Sequence, residues 1–148
     1  MKRMLVVLVA LAAVAAAAVP SPASAAKIKH RGNLIGAPAT PVSLTVIKNG
    51  GKVTKIRGFK LHNVILNCDG ATDPVQFEFL KAFGAIRVAN GKRFGARLQQ
   101  RDGAGSMRLR GTVRKRGKRT RGTVKATLTG TDFGTCRLAK RGFRTKKV

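Results

Sequence analysis

Two histidines, His30 and His62, and five acids, Asp69, Asp73, Glu78, Asp102 and Asp132, are the side chains of this 148-residue sequence best suited to proton transfer near neutral pH. Ser43, Ser106 and the threonines could serve as nucleophiles only beside one of those bases, and no Gly-x-Ser-x-Gly elbow surrounds either serine. Asp69-Gly70 has the composition of a turn and lacks the ligand series of a calcium loop, although Asp73 is near in sequence. Gly103-Ala-Gly105 has no strand-to-helix setting, so it is not a phosphate cradle. His62, beside Asn63, reads as a structural residue. Without a base, nucleophile and orienting group at workable spacing, the expectation is a protein that is not an enzyme and holds no metal or cofactor.

Cys68 and Cys136 are the two thiols. With no CxxC, no second thiol pair and no histidine at ligand spacing, zinc binding and thiol redox catalysis are not expected. In an exported chain the default for such a pair is one disulfide, and closing a loop of this length would stabilise the fold by about 4 kcal/mol in the chain-entropy model.

The most pronounced chemical feature is charge: 31 Lys and Arg against 5 Asp and Glu, a formal net charge of +26. Sixteen of those basic residues lie in positions 101–148, so the charge is asymmetric. Within that stretch Arg108, Arg110 and Arg114 alternate with Met107, Leu109, Gly111 and Val113. Arg119, Arg121, Thr123 and Lys125 alternate in the same way with Gly122, Val124, Ala126 and Leu128. Period-two alternation predicts a hairpin with an apolar inside and a cationic outside, its basic side chains about 6.8 Å apart along each strand. Arg108, Arg110, Arg114, Arg119, Arg121 and Lys125 are therefore the candidate polyanion-binding residues, arginine being suited to bidentate phosphate contacts.

The N-terminus indicates where such a surface would work. Lys2 and Arg3 precede an apolar run over residues 4–19, then Pro20-Ser-Pro and the small residues Ala23, Ser24 and Ala25. This is the anatomy of a secretory signal peptide occupying residues 1–25. The apolar run falls short of the roughly 20 residues that span a bilayer, so no transmembrane segment is expected after cleavage. No cysteine lies near the cleavage point and the basic pair is not twin Arg, so neither lipid attachment nor twin-Arg export is expected. A secreted or cell-envelope protein follows, and the 43% apolar content suits one small folded domain.

Residues 26–41 are basic and punctuated by Pro38 and Pro41, which predicts an exposed lead-in around a short strand at 32–36. Residues 42–148 then read as a single β domain. Val42, Leu44 and Val46 alternate before Asn49-Gly50-Gly51, and Ile86-Arg87-Val88 precedes a second Asn90-Gly91, two strong hairpin signals. Phe59 and Leu61 share one parity but Val64, Leu66 and Cys68 the other, which predicts a β-bulge or a turn near His62-Asn63. A loop at 101–106 and a last strand through Cys136, Leu138 and Phe143 complete the order. The fold class is all-β, an antiparallel meander of about eight to ten strands. A small barrel is preferred because sequential hairpins close simply and closure removes exposed edges; the alternative is a two-layer β-sandwich.

The order of signal peptide, G-x-x-x-G at 32–36, V-S-L-T-V, N-G-G-K-V, Cys68-Asp-Gly, G-K-R-F-G at 91–95, paired Gly-rich basic strands and a late Cys136 resembles small secreted, disulfide-containing, Arg/Gly-rich β-domain proteins of high-GC bacteria. The resemblance spans most of the chain after residue 25 and implies secretion, a β fold and a disulfide, with no defined biochemical activity. The expected partner is an anionic envelope polymer or lipid headgroup. Extracellular nucleic acid is an alternative, suggested by the run RKRGKRTR at 114–121 but disfavoured by the lack of aromatic stacking platforms. A second alternative is a carrier whose barrel interior, lined by Phe59, Phe77, Phe79 and Phe94, holds a small apolar ligand.

Overall fold

The computed structural model describes residues 24–82, 84–99 and 105–148, with the side chain of Phe79 left undescribed. The greater part of the expected signal peptide, and Arg101 to Ala104 of the expected loop with Asp102, lie outside the described residues. Among the described residues nine antiparallel strands follow one another: β1 (Ala26–Leu34), β2 (Ala37–Asn49), β3 (Lys52–Leu66), β4 (Val75–Lys81), β5 (Ala85–Ala89), β6 (Arg93–Gln99), β7 (Gly105–Arg114), β8 (Arg119–Gly130) and β9 (Gly134–Lys147). Each pairs with its neighbours in chain order, except that β4 and β5 occupy successive stretches of the same edge of β3. The ring closes where β9 pairs with β1, from His30↔Lys147 to Leu34↔Phe143. This is a closed up-and-down barrel of eight staves, and the sandwich alternative does not apply. Among the described residues no helix is long and apolar enough to cross a membrane.

Alternation dictates which side chains fill the barrel. Val42, Leu44 and Val46 of β2, Met107, Leu109 and Val113 of β7, and Val124, Ala126 and Leu128 of β8 are buried, while their neighbours face outward. Phe59 and Phe143 meet edge to face at 5.1 Å in the middle of the core. Tight turns follow the sequence chemistry: Gly50, Gly51, Asn90 and Gly91 all have positive φ, as short hairpin turns require.

Two expectations need correction. Residues 26–41 are not an exposed lead-in, because β1 is a full stave that closes the ring and buries His30 and Leu34. Its outward positions are Lys27, Lys29 and Arg31, which masked the period of two. Pro38 and Pro41 precede Val42, where β2 begins to pair with β3, so their missing N–H groups fall at edge positions. The phase of β3 slips three times and not once. Its buried residues run Val53, Ile56, Phe59, Leu61, Val64 and Leu66, with left-handed Gly58 and Asn63 in two of the gaps. The first two slips are bulges, where the register against β2 shifts, and they bend the longest strand around the barrel. At Asn63 the register against β4 runs unbroken, so the expected bulge or turn is a left-handed residue within a continuous ladder.

The two barrel ends differ in content. Chain direction puts the turns after β2, β5 and β7, together with Ala26 and Lys147, at one end, here the turn end. The other, the disulfide end, carries the β3–β4 loop and the β8–β9 turn. There Cys68 is bonded to Cys136, as expected from sequence, and Asp69 and Gly70 dock on residues 133–135 through backbone hydrogen bonds of 3.0 and 3.1 Å.

Candidate anion-binding surface

Residues directly opposite on paired antiparallel strands point to the same face, so the ladders fix which cations are neighbours. On the outer wall, Arg31, Lys146, Arg119 and Arg114 form one row across β1, β9, β8 and β7. The next row is Arg144, Arg121, Thr112 and Arg93 across β9, β8, β7 and β6, and a third is Gly142, Thr123, Arg110 and Gly95. Arg97, Arg108 and Lys125 make a fourth row toward the disulfide end. All these basic residues are exposed.

The second and third rows enclose a groove of about 670 Å³ on the wall. Glycine and threonine at 95, 112, 123 and 142 leave it open, and Arg93, Arg110, Arg114, Arg121 and Arg144 rim it. Beneath it β7 and β8 approach closely at Gly111 opposite Gly122. A Cβ on either would strike the backbone of the other strand, and the rings of Phe94 and Phe143 pack from inside over the bare glycines. A smaller cleft of about 250 Å³ adjoins it, lined by Arg114, Arg119, Arg121 and Arg144 with Thr120 and Thr145.

A third cleft, of about 1420 Å³, lies at the turn end between the β2–β3 turn, the β5–β6 turn and the link from β7 to β8. Lys52, Lys55, Arg87, Lys92, Lys115 and Arg116 line it, again with Arg114. The link is conformationally expensive. Lys115 and Arg116 hold φ of 50° and 53° before Gly117 at 92°, a sequence of left-handed residues that costs about 1–2 kcal/mol for each non-glycine member. Its anchor is His30, which is almost fully buried: its Nε2–H donates to the Gly117 carbonyl at 2.8 Å, and Nδ1 lies 3.2 Å from the hydroxyls of both Thr120 and Thr145. Burial pushes the His30 pKa below its ordinary value, partly offset by the bond to Gly117, so the ring is neutral at pH 7.

Among the described residues no carboxylate lines any of the three clefts. Asp69 and Asp73 sit in the β3–β4 loop and Asp132 in the β8–β9 turn, all at the disulfide end, where Asp69 lies 3.9 Å from exposed Arg137.

Comparison with protein-family models, curated proteins and solved structures finds no match to this chain.

The six candidates from sequence are all placed on the outer faces of β7 and β8. Arg110, Arg114, Arg119 and Arg121 belong to the wall clefts, whereas Arg108 and Lys125 face each other one row away. Sequence reasoning missed Arg93, Arg144 and the turn-end cations. Arg144 was within reach, since Arg144 and Lys146 alternate with buried Phe143 and Thr145. Of the sequence candidates, the structure brings Ser43 and half-buried His62 together, Oγ to Nε2 at 3.1 Å, and places His30 among two threonines and a carbonyl. Among the described residues no three His, Cys, Asp or Glu cluster as a metal site. Phe59 packs on Phe143 and Phe77 on Phe133, and Phe59 and Phe94 belong to one buried core against which Phe77 packs.

Proposed function

We propose that this is a secreted, non-enzymatic β-barrel protein whose cationic outer wall binds a phosphate-bearing anionic polymer or lipid surface of the cell envelope. The observation that carries this reading is the cross-strand register, which stacks arginines from β6, β7, β8 and β9 around a groove with no acid to neutralise them. Cations at that density repel one another, and a polyanion relieves the repulsion while releasing its own counterions. The wall is the reverse of a lipid-facing barrel, which needs an apolar outer band, so contact is at a surface. The disulfide supports an oxidising compartment, and β1 begins at Ala26, directly after the expected cleavage point.

The test is binding to inorganic polyphosphate and to vesicles containing an anionic phospholipid. Affinity should fall steeply as salt rises from about 50 to 200 mM. Replacing Arg108, Arg110, Arg119 and Arg121 with Gln should weaken binding far more than replacing Lys27, Lys29, Arg57 and Lys140. Equal weakening by both sets would reduce the attraction to total charge, and no weakening by either would leave a merely solvated face.

A further inference from the structure

Arg114 lines all three clefts: the groove on the wall, the smaller cleft beside it and the large cleft at the turn end. It is the last residue of β7, directly before the left-handed pair Lys115 and Arg116. From Arg110 to Arg114 the outer face of β7 runs about 13 Å, and the next cations round the barrel rim into the turn-end cleft. Resting on the reading of the wall as a polyanion surface, we propose that these clefts form one continuous track for a linear, base-free phosphate polymer, with Arg114 as the junction between its two arms.

Three features point to a linear ligand. The arms meet at an angle, over the wall and then across the end, which suits a flexible chain better than a rigid duplex or a compact anion. Strain is retained in the non-glycine residues that carry Lys115 and Arg116 into the cleft, and buried His30 holds Gly117 behind them. Among the described residues no aromatic side chain offers a stacking platform in the track: Phe94 and Phe143, the aromatics at its floor, are buried beneath it.

A short anion fills one arm, whereas a long chain engages both and gains from the effective concentration of the second. The experiment compares tripolyphosphate, long-chain polyphosphate and an oligothymidylate of matched charge, using the protein, Arg114→Gln, Arg114→Lys and Arg57→Gln. Arg57 is exposed on β3 and lines none of these clefts. Long-chain polyphosphate should bind at least about a hundredfold more tightly than tripolyphosphate. Arg114→Gln should lower long-chain affinity about tenfold and tripolyphosphate affinity much less, with Arg114→Lys between. Arg57→Gln should change neither appreciably, and melting curves should show all variants folded.

If Arg114→Gln and Arg57→Gln have equal effects, or affinity rises only in proportion to phosphate number, the track is wrong while the wall surface stands on its own fourfold replacement. Equal or tighter binding of oligothymidylate overturns the base-free ligand. Failure of the fourfold replacement to weaken polyphosphate binding overturns both readings.

Discussion

At the disulfide end of the barrel, Cys68 is bonded to Cys136, Gly70 packs against Gly134, and the Asp69 carboxylate accepts the Thr135 N–H. At the turn end there is no covalent tie among the described residues; Lys115 and Arg116 are held left-handed, and the cleft beside them is lined by cations without an acid. One end spends covalent and close-packing devices on closing the wall. The other tolerates strain and self-repulsion, and its anchors are hydrogen bonds from His30 and from the backbone N–H of Lys147 to Lys118. On the proposed reading, stability and polyanion binding are largely separated along the barrel axis, so substitutions should sort by the end they touch.

The largest effect that could break this separation is loss of the disulfide. Cys68→Ser with Cys136→Ser should lower stability by about 2–5 kcal/mol, read from the denaturation midpoint. Polyphosphate affinity of the still-folded variant should be unchanged. If affinity collapsed without unfolding, the ends would be coupled.

Next in size is Gly134→Ala. Gly134 has a φ of +68°, and a Cβ there would strike the Asp69 carboxylate and the Gly70 backbone. A loss of about 1–3 kcal/mol is expected in the same assay, again without loss of binding. A neutral result would mean that the β3–β4 loop does not hold the barrel shut.

Legibility from sequence followed locality along the chain and not the barrel ends. Cys68, Asp69-Gly70, both Asn-Gly turns and the β7–β8 hairpin were readable because each is local chemistry, a turn residue or a period of two. The role of β1 was not readable. Its closure partner β9 is more than 100 residues away, and with lysine and arginine at every other position the strand resembled a solvated lead-in. The groove was only half readable for a related reason. Arg110 and Arg121 announced themselves within one hairpin, but Arg93 and Arg144 join them only through the register of β6 and β9. His30 gave no signal of burial, because the threonines that surround it, Thr120 and Thr145, come from β8 and β9.

A smaller effect sharpens the account of the turn end. Because burial depresses the folded pKa of His30, the unfolded chain takes up the proton first as pH falls below about 6.5, and folding must then exclude it. The His30 contribution is therefore intact above that pH and is lost as pH falls toward the depressed folded value. Denaturation midpoints should decline between pH 7 and pH 5, and His30→Gln, which keeps a donor for Gly117, should flatten that decline. An equal decline in His30→Gln would assign the pH dependence to other groups.

The smallest change in stability, and the one that most directly separates strain from charge, is expected from a paired test at Arg116. Arg116→Gly removes the cation and also the Cβ that makes a φ of 53° costly, a relief of about 1–2 kcal/mol. The extra freedom of glycine in the unfolded chain takes back about 0.5–1 kcal/mol, so stability should stay level or rise by about 1 kcal/mol. Arg116→Ala removes the same charge but keeps the Cβ, so it should be the less stable of the two. Both should weaken binding of long-chain polyphosphate to a similar degree, because both remove the same cation from the cleft. If Arg116→Gly proved less stable than Arg116→Ala, the turn would not be strained in solution. If both variants bound as tightly as the parent, the turn-end arm would carry no ligand, and the contrast between the ends would reduce to one of stability alone.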